Sequence, residues 1–169
     1  MLKPKVNSTD HHTGNTDALV TLVEFGDFEC PHCGAAHPLI QRLLKELGDE
    51  LHFVFRNFPL KESHPHAYGA AMAAEAAGKQ GKFWEMHDLL FENQGMLSEK
   101  LFISLASNLG LDKVTFLKDC KSEALAAIIE SDFESGIRSG VNGTPGFFVN
   151  GVHVLNYDGT YQSLLDAVK

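Results

Sequence analysis

The chain has 169 residues, 44% hydrophobic and 21% charged, which suits one globular unit with a core large enough to need neither a disulfide framework nor a structural metal. Its 14 basic side chains against 22 acidic ones leave a formal charge of −8, which repels polyanions and argues against nucleic acid or an anionic bilayer as partner. No run approaches the roughly 20 consecutive apolar residues of a membrane span.

Residues 1–16 are polar and follow no period, and are expected to form a flexible N-terminal arm. They carry positive charge but no apolar stretch of a signal peptide. Two locations therefore stay open: cytoplasmic if Met1 is the native start, periplasmic or otherwise extracytoplasmic if an export signal has been removed. Ala18 to Phe25 is a nearly continuous β-branched and apolar run, the pattern of a central strand covered on both faces. A helix follows, with Leu39, Ile40, Leu43, Leu44 and Leu47 spaced three and four apart, Pro38 as a kink point and Gly48 as its stop. Leu51 to Phe58 alternates as a second strand and ends at Pro59, which predicts a parallel βαβ unit with a right-handed crossover.

From about Ser63 to Ser139 the pattern is helical, broken into short segments. Ser98, Asp112 and Ser122 occupy N-cap positions, and Gly110 and Gly140 occupy C-cap positions. Strand character returns at Gly146 to Val149, followed by the Asn150-Gly151 hairpin signal, a short strand from Val152, and a last helix over Tyr161 to Val168.

The chemistry concentrates in Cys30-Pro31-His32-Cys33, a C-x-x-C placed after a buried strand and opening a helix. Free backbone N–H groups and the positive end of the helix dipole favour a thiolate at Cys30, while Cys33 lies one turn further in. Cys30 is thus the expected nucleophile and Cys33 the resolving thiol. His32 adds imidazole donors beside the thiolate, and stabilising the reduced form makes the disulfide a stronger oxidant. Glu24 lies in the apolar strand, where burial should raise its pKa and suit it to accept the Cys33 proton. Pro145, just before an apolar strand, makes Thr144-Pro145 the candidate cis peptide, with the Thr144 backbone free to pair with an extended substrate peptide. Pro31 is counted with Thr144 and Pro145 on the substrate-binding side.

Three cysteines cannot fill a four-sulfur zinc site, and Gly34 after Cys33 excludes the haem-attachment signature, so no metal or other cofactor is expected. His37 is read as a packed helical residue, Cys120 as a buried structural thiol, and the His11-His12 and His64-Pro65-His66 groups as solvated loops.

Together these segments resemble the DsbA-like branch of the thioredoxin superfamily, from Asp17 onward. The match runs over Val20 to Phe25, the Cys-Pro-His-Cys sequence, the long helical segment, and Gly143-Thr144-Pro145 with Phe147 to Gly151. The resemblance implies an α/β thioredoxin fold with an inserted all-helical domain: residues 17–60 and 140–169 as its two halves, 61–139 as the insertion. It also implies a monomeric thiol–disulfide oxidoreductase that donates the Cys30–Cys33 disulfide to protein thiols. The implied reoxidant is a quinone-linked membrane protein of the DsbB or vitamin K epoxide reductase type. Two other readings remain: a cytoplasmic reductase or isomerase served by a thioredoxin-type reducing system, and a chaperone-like binding module whose thiols are incidental.

Overall fold

The computed structural model describes all 169 residues. A five-stranded sheet carries the strands β1 (His11–Gly14), β2 (Val20–Gly26), β3 (Leu51–Asn57), β4 (Gly146–Val149) and β5 (Val152–His153). Their order is β1-β3-β2-β4-β5, so β2 is central, parallel to β3 and antiparallel to β4. The crossover from β2 to β3 is α1 (Pro31–Leu47), which runs unbroken through Pro38. Between β3 and β4 lie α2 (Ala67–Lys79), α3 (Phe83–Glu92), α4 (Glu99–Asn108), α5 (Lys113–Asp119) and α6 (Glu123–Arg138); α7 (Tyr161–Val168) closes the chain.

Strand periodicity divides the core. Leu22, Phe53, Phe55 and Phe147 point to the face covered by α1 and the inserted helices, in a cluster that also contains Cys30 and Cys33. Val23, Phe25, Val54 and Phe148 point to the opposite face and meet Leu2, Phe58 and Val141. Glu24 shares the parity of Leu22, which turns its carboxyl toward the side on which α1 begins. Ser98, Asp112 and Ser122 each accept a backbone N–H at the start of α4, α5 and α6. At the hairpin, Asn150 and Gly151 have φ of 48° and 82°, the left-handed pair that a two-residue turn of this hand requires.

The first 16 residues correct the expectation of an unstructured arm. His11–Gly14 pairs antiparallel with β3 as an edge strand, and Leu2 is buried against the second core cluster. Arg56 on β3 donates from Nε and Nη2 to the two oxygens of Asp10, at 2.8 and 2.9 Å, with both side chains almost fully buried. The indole Nε1–H of Trp84 donates to His12 O at 2.7 Å. Backbone ladder bonds and a desolvated ion pair hold this segment, and neither produces an apolar period in the sequence. His11 and His12 are likewise structural: His11 stacks on Phe83 and meets Glu75 at 2.7 Å, and His12 meets His52 at 2.6 Å.

Candidate functional site

The end of β2, the start of α1 and the loop before β4 converge on one point. Cys30 is the N-cap of α1, with extended backbone (φ −68°, ψ 122°), and Pro31 takes the first helical position, where a missing N–H removes no helix bond. Cys30 Sγ lies 3.6 Å from the Thr144 carbonyl oxygen. The Thr144–Pro145 peptide bond is cis. Both active-segment cysteines are free thiols and both are buried, so the structure is of the dithiol form.

The two thiols differ in acidity. Cys30 is pulled down to about 5, chiefly by the hydrogen bond from the Cys33 thiol, against the opposing effect of burial; the Thr144 hydroxyl and the backbone N–H groups of Cys33 and His32 add to it. Thr144 Oγ1 is buried and makes no hydrogen bond in the dithiol form, which leaves it free to donate to a Cys30 thiolate. Cys33 is pushed well above its ordinary value by burial, by its bond to Cys30 and by the charges of Glu24 and Cys30. Glu24, 1% exposed, is raised to about 8 by burial and, secondarily, by the Cys30 charge; its Oε1 has no partner. His32 is exposed, so the part of it that reaches Cys30 is its backbone N–H. Pro31 is also exposed, beside Cys30 at the mouth of the site.

Two supporting residues were missed in the sequence. Gln94, from the short helical turn after α3, donates from Nε2 to Phe28 O and Cys30 O at 2.9 and 2.8 Å, so the inserted helices clamp the active loop. Gly34 makes this possible, because a Cβ there would collide with the Gln94 amide. Gln94→Ala leaves Phe28 O without its donor and Cys30 O with only the Gly34 N–H, and is expected to lower stability by about 1–2 kcal/mol in denaturant unfolding. Asp27 is fully buried and accepts N–H groups from Glu29, Cys30 and Leu60, and His64 Nδ1–H at 2.8 Å. His64 therefore belongs to the site, which corrects its reading as part of a solvated loop. An acid three residues before a cysteine, as Asp27 is before Cys30, was the available signal, since short acids in this position cap the backbone of the turn that follows.

His37 is buried, stacked on Phe91 and edge-on to His87, and burial lowers its pKa to about 4. Cys120 is half-buried at the end of α5, with burial raising it to about 11, in contrast to the acidic thiol at Cys30.

A family model described as thioredoxin matches residues 6–169. The chain belongs to the thioredoxin family. Among solved structures, this thioredoxin-family protein is similar to a thioredoxin-like oxidoreductase from Silicibacter pomeroyi DSS-3, with TM-score 0.85 and 30% identity over 96% of this chain and 91% of that one. It is also similar to BdbD from Bacillus subtilis in its oxidised form, with TM-score 0.82 and 26% identity over 94% and 90% of the two chains. A third is DsbA2 from Pseudomonas aeruginosa, with TM-score 0.77 and 25% identity over 97% and 95%. The fold is accordingly the DsbA-like form of the thioredoxin fold, with α2 to α6 as its helical insertion. Curated relatives include proteins called Na(+)/H(+) antiporter NhaA. The one from Salinispora arenicola is 44% identical over 151 residues, 89% of this chain and 23% of that relative. The one from Herminiimonas arsenicoxydans is 41% identical over 152 residues, 89% and 24% of the two lengths. The chain thus spans about a quarter of the length of the curated relatives it matches.

Proposed function

We propose that the protein is a thiol–disulfide oxidoreductase that works mainly as an oxidase, donating a Cys30–Cys33 disulfide to protein thiols. The observation that carries this reading is the split between the two thiols, Cys30 at about 5 and Cys33 raised well above the ordinary range. At pH 7 the first figure corresponds to a thiolate-to-thiol ratio of roughly 100, so Cys30 is a good leaving group. The resemblance to DsbA-like structures points the same way. The antiporter name describes relatives about four times as long, of which this chain matches about a quarter; no helix here is long and apolar enough to cross a membrane.

In the oxidised enzyme a substrate thiolate attacks Cys30 Sγ. The Cys30–Cys33 bond breaks, and the leaving Cys33 sulfur takes a proton from neutral Glu24. A second substrate thiolate then attacks the substrate sulfur of the mixed disulfide. The substrate disulfide forms, and Cys30 departs as a thiolate held by Cys33, Thr144 and the helix N-terminus. Two electrons pass from the substrate to the cysteine pair.

Reoxidation reverses the roles. The Cys30 thiolate attacks a partner disulfide and expels one partner thiolate; Glu24 gives its proton to solvent and, as a carboxylate, accepts the Cys33 proton; the Cys33 sulfur then attacks Cys30, breaking the mixed disulfide and releasing the second partner thiolate. Formation of the mixed disulfide removes the Cys30 charge and with it one of the two influences that keep Glu24 protonated, so the base is released when Cys33 must lose its proton. A quinone-linked partner of the DsbB or vitamin K epoxide reductase type would supply the disulfide. The Thr144 carbonyl and Pro145, with the exposed Pro31 next to Cys30, would line the substrate side.

The test is the equilibrium potential of the Cys30–Cys33 pair against glutathione buffers, with Cys120→Ser as background. A value at or above about −180 mV, that of protein disulfide isomerase, is expected; one near about −270 mV, that of thioredoxin, would make reduction the natural direction.

A further inference from the structure

Nothing in the Cys30-Pro31-His32-Cys33 segment explains why a buried carboxylate sits directly beneath it. Asp27 has no solvent access, and its oxygens bind three backbone N–H groups, including that of Cys30 at 3.2 Å. This fixes the turn into α1, but an uncompensated negative charge so close to Cys30 would oppose a thiolate there. The compensation comes from outside the segment: His64, on the loop between β3 and α2, donates Nδ1–H to Asp27 Oδ2 at 2.8 Å. Its ring is only 21% exposed. The charged groups that face it are Asp27, Cys30 and Glu29, all acidic. The nearby Lys61 is engaged elsewhere, with Glu130 at 2.9 Å.

We propose that the His64 imidazolium, seated on Asp27, is the counter-charge that supports the Cys30 thiolate and thereby helps to set the oxidising strength of the Cys30–Cys33 pair. His64 is a positioning residue on this account: it acts through Asp27 and through space, without touching the reacting sulfur. Its own pKa is raised, first by the bond to Asp27 and then by the charges of Asp27, Cys30 and Glu29, so it keeps its proton to higher pH than a free imidazole. The attraction is mutual, since whatever the Cys30 charge does for the His64 proton the imidazolium does for the Cys30 thiolate. Donors from Cys33 and Thr144 remain the larger influences on Cys30. Removing the imidazolium alone does two things at once, deleting a positive charge and exposing Cys30 to a bare Asp27.

The inference rests on the thiol–disulfide reading, and the experiment separates the two. Thiolate absorbance at 240 nm, followed against pH in the reduced protein, reports Cys30 ionisation without any substrate. The variants, all on a Cys120→Ser background, are His64→Gln, which keeps a hydrogen-bond donor and loses the charge, His64→Lys, which keeps the charge, and the double variant Asp27→Asn/His64→Gln, which removes both charges. His64→Gln is expected to reduce the thiolate-to-thiol ratio of Cys30 about tenfold, equivalent to a potential about 30 mV more reducing. His64→Lys should stay nearer the parent, and the double variant should recover part of the loss. The difference between parent and His64→Gln in glutathione equilibria should also narrow as pH rises above the ordinary imidazole range, because the parent then loses the same charge. Folding is checked by circular dichroism. A folded His64→Gln protein with the Cys30 titration of the parent would overturn the proposal, as would a double variant no better than the single one. A parent protein whose Cys30 titrates low but exchanges with no disulfide would instead remove the enzymatic reading and leave the electrostatic one standing.

Discussion

Cys30→Ser is expected to abolish disulfide exchange with protein thiols, a loss of at least roughly 10³-fold, while leaving the protein folded. A hydroxyl in place of the thiol cannot form a disulfide. The remaining Cys33 cannot substitute for it, because it is fully buried and its acidity is suppressed by burial and by the charge of Glu24. Cys33→Ser should behave differently. Cys30 keeps a thiolate supported by Thr144 and the α1 N-terminus, although it loses the strongest donor, the Cys33 thiol. It therefore still attacks disulfides but has no resolving sulfur, so mixed disulfides accumulate in place of turnover. Intact-protein mass spectrometry after exposure to oxidised glutathione distinguishes the two: one adduct per chain for Cys33→Ser, none for Cys30→Ser, both measured with Cys120→Ser. Glutathionylation of Cys30→Ser at Cys33 would show that the second sulfur is reachable, and would remove the division of labour proposed here.

The residues that meet at the candidate site were legible because their meeting depends on local spacing. Cys30 and Cys33 sit one helical turn apart at a helix start, and Glu24 has the same strand parity as the residues that face α1. Those relations are written in residue order. The supporting groups were not, because each is brought in by tertiary contact from a segment with another apparent purpose. Gln94 comes 64 residues after Cys30, from a helical turn with no pattern of its own, and His64 comes 37 residues after Asp27 from a polar loop. The same reason explains the N-terminal strand. His11–Gly14 has no alternation, since its attachment is made by main-chain bonds to β3 and by polar contacts such as His11 to Glu75. Segments that bury apolar side chains announce themselves by period; segments held by backbone and paired polar groups do not.

Glu24→Gln should change both stability and rate, in directions fixed by the sign of the shift. Glu24 holds its proton up to about 8 in the folded protein, against an ordinary value of 4.5. Between those values the native state binds more protons than the unfolded chain, so its contribution to stability is lost as pH rises. Cys30 works in the opposite sense in the dithiol form, because its folded value lies below its unfolded one and stability is gained from about pH 5 upward. The comparison is therefore cleanest in the oxidised protein, where Cys30 carries no charge and burial alone acts on Glu24. There the parent should lose stability on account of Glu24 as pH rises from 5 to 8, and Glu24→Gln should lack that slope, measured by denaturant unfolding. In reoxidation the same variant removes the group that takes the Cys33 proton, and closure of Cys33 onto Cys30 should slow by about 10²-fold at pH 7. The deficit should shrink as pH rises and hydroxide replaces the missing base. A variant that is stabilised at pH 8 but closes at the parent rate would show that the carboxyl is merely a buried acid and that Cys33 loses its proton by another route.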